Sequence, residues 1–352
     1  MDYCLSREEI IITQMSRISG LTDIQDCIID DISWVELLKK SQKNKTMFLV
    51  MKNLERCGFA EKIPVYLRVL IKDSFYCNEV RNTEKLEALA IVQKTMYDNG
   101  IDVVPVKGAY LIDNVYKDRS VRTTNDMDLL IRRCDSDKIN HMMHDLNYVI
   151  GDYCNNKMEI IPFCRADRML YKLKMYNLLP YLKIGTMRSI NLLIFDFSFA
   201  LDFSLDTKPV EEMLDCSTKD GFKRFLLPEH FFIHLCCHLY REANYIERIK
   251  NKNNLALIKF CDLREFVLKE MDKNSFTNAV VFAYRHGLVE AVYYCLYYLH
   301  VVYHDGYELE VLNKLDIQTP INLPRLIEKK YNIEQKQEEI FWRNLFSVSK
   351  SV

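Results

Sequence analysis

Chain breakers are scarce in this protein: nine glycines and eight prolines among 352 residues. That scarcity excludes collagen-like, Gly/Ser-linker and Pro-rich architectures and favours long helices. Long apolar runs are missing too. The longest, around positions 190–205, is broken by Asp196 and Asp202, so no membrane-spanning segment is expected. Neither sign of charge dominates, with 48 Lys and Arg against 49 Asp and Glu for a net charge of −1. A chain without a global positive field argues against long nucleic acid as a partner. Twelve cysteines occur, but they are scattered and form no metal-type CxxC pair. They read as reduced thiols of a cytoplasmic protein. The first residues, MDYCLSREEI, lack the basic region and apolar core of a secretory signal.

What is present is an ordinary globular composition, 49% hydrophobic and 28% charged, rich in Tyr and Phe. The length allows two or three structural units. Residues 1–60 read as an N-terminal helical segment. Ser6 followed by Glu8 and Glu9 starts a helix whose apolar stripe is Ile10, Ile11, Met15 and Ile18. From Pro64 to Asn99 the pattern predicts one or two helices, with a break near Tyr76 to Asn82. Asn99-Gly100 then hands over to a strand at Ile101 to Val106.

The organising stretch is IDVVPVKGAYLIDNVYKDRSVRTTNDMDLLI, positions 101–131. It reads as strand, tight turn at Lys107-Gly108-Ala109, helix, connector, and a second strand carrying Asp126-Met127-Asp128. Side chains on a strand alternate faces, so the two aspartates share one face. Like charges that close repel, and a divalent cation relieves them. A small-residue turn opening a helix lets backbone N–H groups approach a phosphate. Arg122, four residues before Asp126, is placed either to brace the carboxylates or touch a phosphate, or to form a surface ion pair.

A second strand signal follows at positions 190–205, INLLIFDFSFALDFSL, where Phe195, Phe197, Phe199 and Leu201 alternate with Asp196, Ser198, Ala200 and Asp202. Between them, positions 153–185 interleave Lys and Arg with Tyr and Phe. Such a mixture can stack a base or hold phosphate, or simply pack a hairpin.

These residues carry a resemblance. Lys107-Gly108, Tyr110-Leu111, Arg122 and Asn125-Asp126-Met127-Asp128-Leu129-Leu130 resemble an uncharacterised bacterial branch of the DNA polymerase β-like nucleotidyltransferase superfamily, over roughly residues 60–270. The resemblance implies an α+β fold: a small mixed sheet flanked by helices as the core (61–215), the N-terminal helices (1–60), and a helical C-terminal domain (216–352). It implies transfer of a nucleoside monophosphate, with ATP the expected donor, to a small-molecule, peptide or protein acceptor, pyrophosphate leaving. Two Mg²⁺ ions, with Mn²⁺ as substitute, would be held by Asp126, Asp128 and a third carboxylate on a neighbouring strand. Aligned on the branch, that third carboxylate is Asp202, with Asp196 and Asp206 as rivals; Ser204 and Leu205 stand where the branch has His and Trp. Lys107, Gly108, Ala109 and Arg122 would bind the nucleotide. The superfamily's usual Gly-Ser or Gly-Gly turn is Gly108-Ala109 here, which removes a hydroxyl contact and leaves more of the phosphate to Lys107.

The remainder reads as helix. His230, His234 and His238 recur every four residues on one helix face. A zinc hydrolase would need Glu after its first His, and Phe231 and Leu235 occupy those places. His234, His238 and, by resemblance, Asp262 read as polar lining of an acceptor cleft or as a helix–helix contact. The alternative to an enzyme is a nucleotide-binding or regulatory protein that keeps the fold without the chemistry. A kinase-type phosphotransferase lacks support, since neither a Walker turn nor an HRD-like loop is present.

Overall fold

A computed structural model describes residues 4–21, 26–172, 176–186, 192–201, 205–315 and 337–347. Two compact units emerge: residues Tyr76–His234 form one, and Met1–Phe75 with Leu235–Val352 form the other.

The second of these is helical among its described residues. Its first helix, Arg7–Met15, starts with the reciprocal capping box that Ser6 and Glu9 predict. Arg264 is anchored bidentately by Asp305 at 2.5 and 2.8 Å, and Glu265 accepts the backbone N–H groups of Ile18 and Ser19. Phe341 is buried against Phe260 and Tyr298. No helix is long and apolar enough to cross a membrane among the described residues.

The unit Tyr76–His234 is a mixed α+β body. Among the described residues its main sheet has six strands, β1 (Val104–Val106), β2 (Met127–Leu130), β3 (Val149–Cys154), β4 (Glu159–Pro162), β5 (Tyr181–Ile184) and β6 (Leu192–Ser198), in the spatial order β1-β2-β6-β5-β3-β4. Only β2 and β6 run parallel; the other neighbours are antiparallel. A small hairpin, β7 (Thr218–Asp220) with β8 (Lys223–Phe225), follows. One face of the sheet is apolar. Met127, Leu129, Phe195, Phe197 and Tyr181 join Leu89, Val92 and Met96, and Ile139 and Met143 of the helix Ser136–Asp145, in a single core. The basic and aromatic stretch after Tyr153 resolves into the β3–β4 hairpin, the helix Arg165–Lys172 and β5.

The expected break near Tyr76 to Asn82 does not occur: Val65–Asp98 is one helix of 34 residues. Polar residues of this stretch serve the connector. Asn78 donates to the carbonyl of Ser120 at 2.7 Å, and Asn82 donates to those of Arg119 and Arg122 at 2.7 and 2.8 Å. Buried backbone carbonyls in a loop need such donors.

Candidate active site

Strand register builds the site. In β1, β2 and β6, Val106 lies opposite Asp128 and Asp128 opposite Asp196. Asp196 is flanked by Phe195 and Phe197, which fill the apolar core, so its side chain takes the other face. Asp126 stands one residue before β2. Ligand oxygens of Asp126, Asp128 and Asp196 all lie within 4.8 Å of one another. Asp128 is buried and the other two are partly buried. The two aspartates of the central motif thus meet a third on the neighbouring strand, and that third is Asp196. Asp202 lies outside the described residues. Asp206 sits beyond β6, where its carboxylate accepts the backbone N–H of Lys208 at 3.0 Å.

Electrostatics mark Asp196 out. Burial pushes its carboxyl from 3.8 up to about 7, with Asp128 and then Asp126 adding repulsion and Lys107 opposing. Three converging carboxylates with an all-oxygen donor set suit a hard cation such as Mg²⁺ or Mn²⁺. Burial and then the repulsion of Asp128 and Asp126 both disfavour the Asp196 charge, and a bound cation would offset them, which supports the fit.

Lys107 follows β1 directly and caps the short helix Gly108–Leu111. Its φ of 51° and ψ of −130° are an uncommon backbone state for a residue with a side chain. The ammonium reaches Asp128 Oδ1 at 2.6 Å, supplying a positive charge at the carboxylate cluster. Helical pairing is brief here. The amides of Tyr110 and Leu111 bond the Lys107 carbonyl, and Ile112–Tyr116 widens into a π-helical turn closed by Lys117 N–H to Ile112 O. The helix expected after the Lys107-Gly108-Ala109 turn is therefore two short pieces.

Gly108 has a role the sequence did not suggest. A Cβ there would lie 2.5 Å from Arg122 Nη1 and 2.8 Å from Thr124 Oγ1. The glycine makes room for a buried brace in which Arg122 donates to Thr124 at 2.7 Å and packs on the Tyr116 ring. Arg122 thus sits behind the turn rather than in an exposed ion pair. Lys85, equally unsuspected, is buried and donates to the Thr124 carbonyl. Burial lowers its ammonium to about 8, with Asp126 countering. Asn78, Asn82 and Lys85 recur at i, i+4 and i+7, so one helix stripe holds the connector that delivers Asp126. That polar stripe, within a segment whose later turns are apolar on the same face, was the signal available.

His230, His234 and His238 all lie on one helix, Pro228–Ala243, where His230 and His234 are buried and His238 lies 3.6 Å from Glu242. Asp262 is buried in the helix Leu257–Glu270.

A sheet that brings three acids to one face beside a Lys-Gly turn defines the class of the site, and comparison with known families agrees. The chain belongs to an uncharacterised nucleotidyltransferase family, whose model matches residues 30–304. No curated protein and no solved structure matches it.

Proposed function

We propose that the protein is a divalent-cation-dependent nucleotidyltransferase that moves a nucleoside monophosphate, AMP from ATP, to a hydroxyl of a small-molecule, peptide or protein acceptor. The observation that carries this reading is the convergence of Asp126, Asp128 and Asp196 next to the Lys107-Gly108 turn. In the reaction an acceptor oxygen bonds to the α-phosphorus, the bond from that phosphorus to the bridging oxygen breaks, and pyrophosphate leaves with the electron pair. Asp126, Asp128 and Asp196 would hold Mg²⁺, which when bound supplies charge stabilisation for the attacking and leaving oxygens. Asp196, whose carboxyl is raised by burial, takes the acceptor proton. Lys107 leaves Asp128 to pair with the β- and γ-phosphates, beside the amides of Gly108 and Ala109. Arg122 supports that turn from behind. Catalysis of this type is positioning and charge stabilisation, so rigid placement of the connector by Asn78, Asn82 and Lys85 matters as much as the acids.

One observation favours the second reading, a nucleotide-binding protein without transfer: the Lys107 ammonium already neutralises Asp128. Incubation with Mg²⁺ and ATP labelled at either the α- or the γ-phosphate, with candidate acceptors, separates the two. Transfer predicts α-label on the acceptor, pyrophosphate in solution, and loss of both in Asp128→Ala. γ-Label on the acceptor, ADP as product, or full turnover in Asp128→Ala would overturn the proposal; binding of ATP with no product would favour the second reading.

A further inference from the structure

A cavity opens on the other face of the sheet. Tyr181 pairs in register with Phe195, so it shares the side of the sheet that Asp196 does not. There a cavity of about 810 Å³ opens. Its volume falls within the range of small-molecule sites, roughly 300–1,000 Å³. Buried aromatic rings form its floor: Tyr148, Tyr181 and Phe199. Tyr181 is fixed by donating its hydroxyl to Asn140 Oδ1, and Asn140 also faces the cavity.

The rim is cationic. Arg133, Arg165 and Arg168 stand around the opening, all exposed, with His141 and His144 beside them. Arg133 is held with its guanidinium 5.2 Å over the Phe199 ring. Arg168 spends one donor on the Phe163 carbonyl at 3.1 Å, which leaves four of its five N–H groups for other acceptors. Among the described residues, none of the three arginines is in an ion pair, and the cavity lining contains no Asp or Glu. The lining thus brings three guanidiniums and no carboxylate to one opening, where an anion would lower their mutual repulsion. Guanidinium forks match phosphate oxygens two at a time, while an aromatic floor takes a flat ring in offset or edge contact.

We propose that this cavity is a second ligand site that takes a small organic phosphate bearing a planar ring, of nucleotide size. The sheet separates it from the three carboxylates, so its occupant is not a reactant there. Asp196 of β6 faces the carboxylate side, and Phe199, just past the end of β6, lines the cavity. The inference stands apart from the transfer reaction, since it requires neither metal nor turnover.

Titration calorimetry on the full chain in EDTA tests it, with AMP, inorganic phosphate and adenosine as probes. AMP is expected to saturate a single site, with phosphate and adenosine each at least about tenfold weaker. Arg133→Ala with Arg168→Ala should weaken AMP by about tenfold or more, and Asp128→Asn should leave it unchanged. Both arginines are exposed, and an unchanged melting curve would show the double variant to be folded. The proposal is overturned by lack of saturable AMP binding up to about 5 mM, by unaltered affinity in the folded arginine variant, or by loss of binding in Asp128→Asn.

Discussion

Replacing Asp196 with Asn tests the electrostatic account without any substrate. In the metal-free protein the Asp196 carboxyl is raised from 3.8 to about 7 by burial and by its two acidic neighbours. A group that binds its proton more tightly folded than unfolded stabilises the fold at low pH and loses that benefit as pH rises. Wild type in EDTA should therefore lose stability between about pH 4 and pH 7 on this group's account. The full rise corresponds to about 4 kcal/mol, at about 1.4 kcal/mol per pH unit. Because Asp196 is only partly buried, solvent screening reduces the realised amount to about 1–2 kcal/mol. Asn keeps the shape and removes the charge. Urea unfolding in EDTA at pH 5 and pH 8 should show the two proteins converging at the lower pH. At pH 8, Asp196→Asn should be the more stable by that amount. Titrating groups that do not interact with Asp196 are common to both proteins and cancel in the difference, which leaves Asp196 with its coupled neighbours Asp128, Asp126 and Lys107. Saturating Mg²⁺ should invert the order at pH 8, since only wild type retains all three ligands. Parallel stability curves across this pH range, or a variant less stable at pH 8 in EDTA, would refute the reasoning.

Further outcomes follow from the same geometry. Gly108→Ala places a Cβ 2.5 Å from Arg122 Nη1 and should cost about 1–3 kcal/mol of stability in urea unfolding; a neutral substitution would mean that the Arg122–Thr124 brace moves freely. Asn82→Ala removes donors to two loop carbonyls and should cost about 1–3 kcal/mol, with turnover falling further than stability alone explains because Asp126 loses its placement. Lys107→Met should tighten metal binding in the absence of nucleotide, by removing the competing ammonium at Asp128, and weaken ATP binding by about tenfold. Both are read by calorimetry, and a single direction of change for metal and ATP would contradict the dual role.

Much of the centre was legible. Period-2 alternation placed Asp128 on a strand and Asp196 between core phenylalanines, and the Lys107-Gly108 turn lies where the expected helix-to-strand hand-off puts it. The third acid was harder. A strand signal locates every second residue on a face, but strand pairing decides which of Asp196, Asp202 and Asp206 lies level with Asp128, and register is a property of two strands. The connector's supports were hidden for a different reason. Asn78, Asn82 and Lys85 are polar residues within a helical pattern, and nothing in that pattern shows the loop that they hold. The glycine was recognised as necessary, yet the atoms that require it come from Arg122 and Thr124. That the helices before Phe75 and those after Leu235 share one unit is a tertiary fact with no local trace.

The central claim is that Asp126, Asp128 and Asp196 together hold a divalent cation next to the Lys107 turn. Anomalous diffraction from crystals soaked in Mn²⁺ with a non-hydrolysable ATP analogue measures this directly. A manganese peak ligated by all three carboxylates, with Lys107 Nζ moved from Asp128 to the phosphates, is the expected result. A peak elsewhere, or a nucleotide bound with the Lys107–Asp128 pair intact and no metal among the three acids, would contradict it.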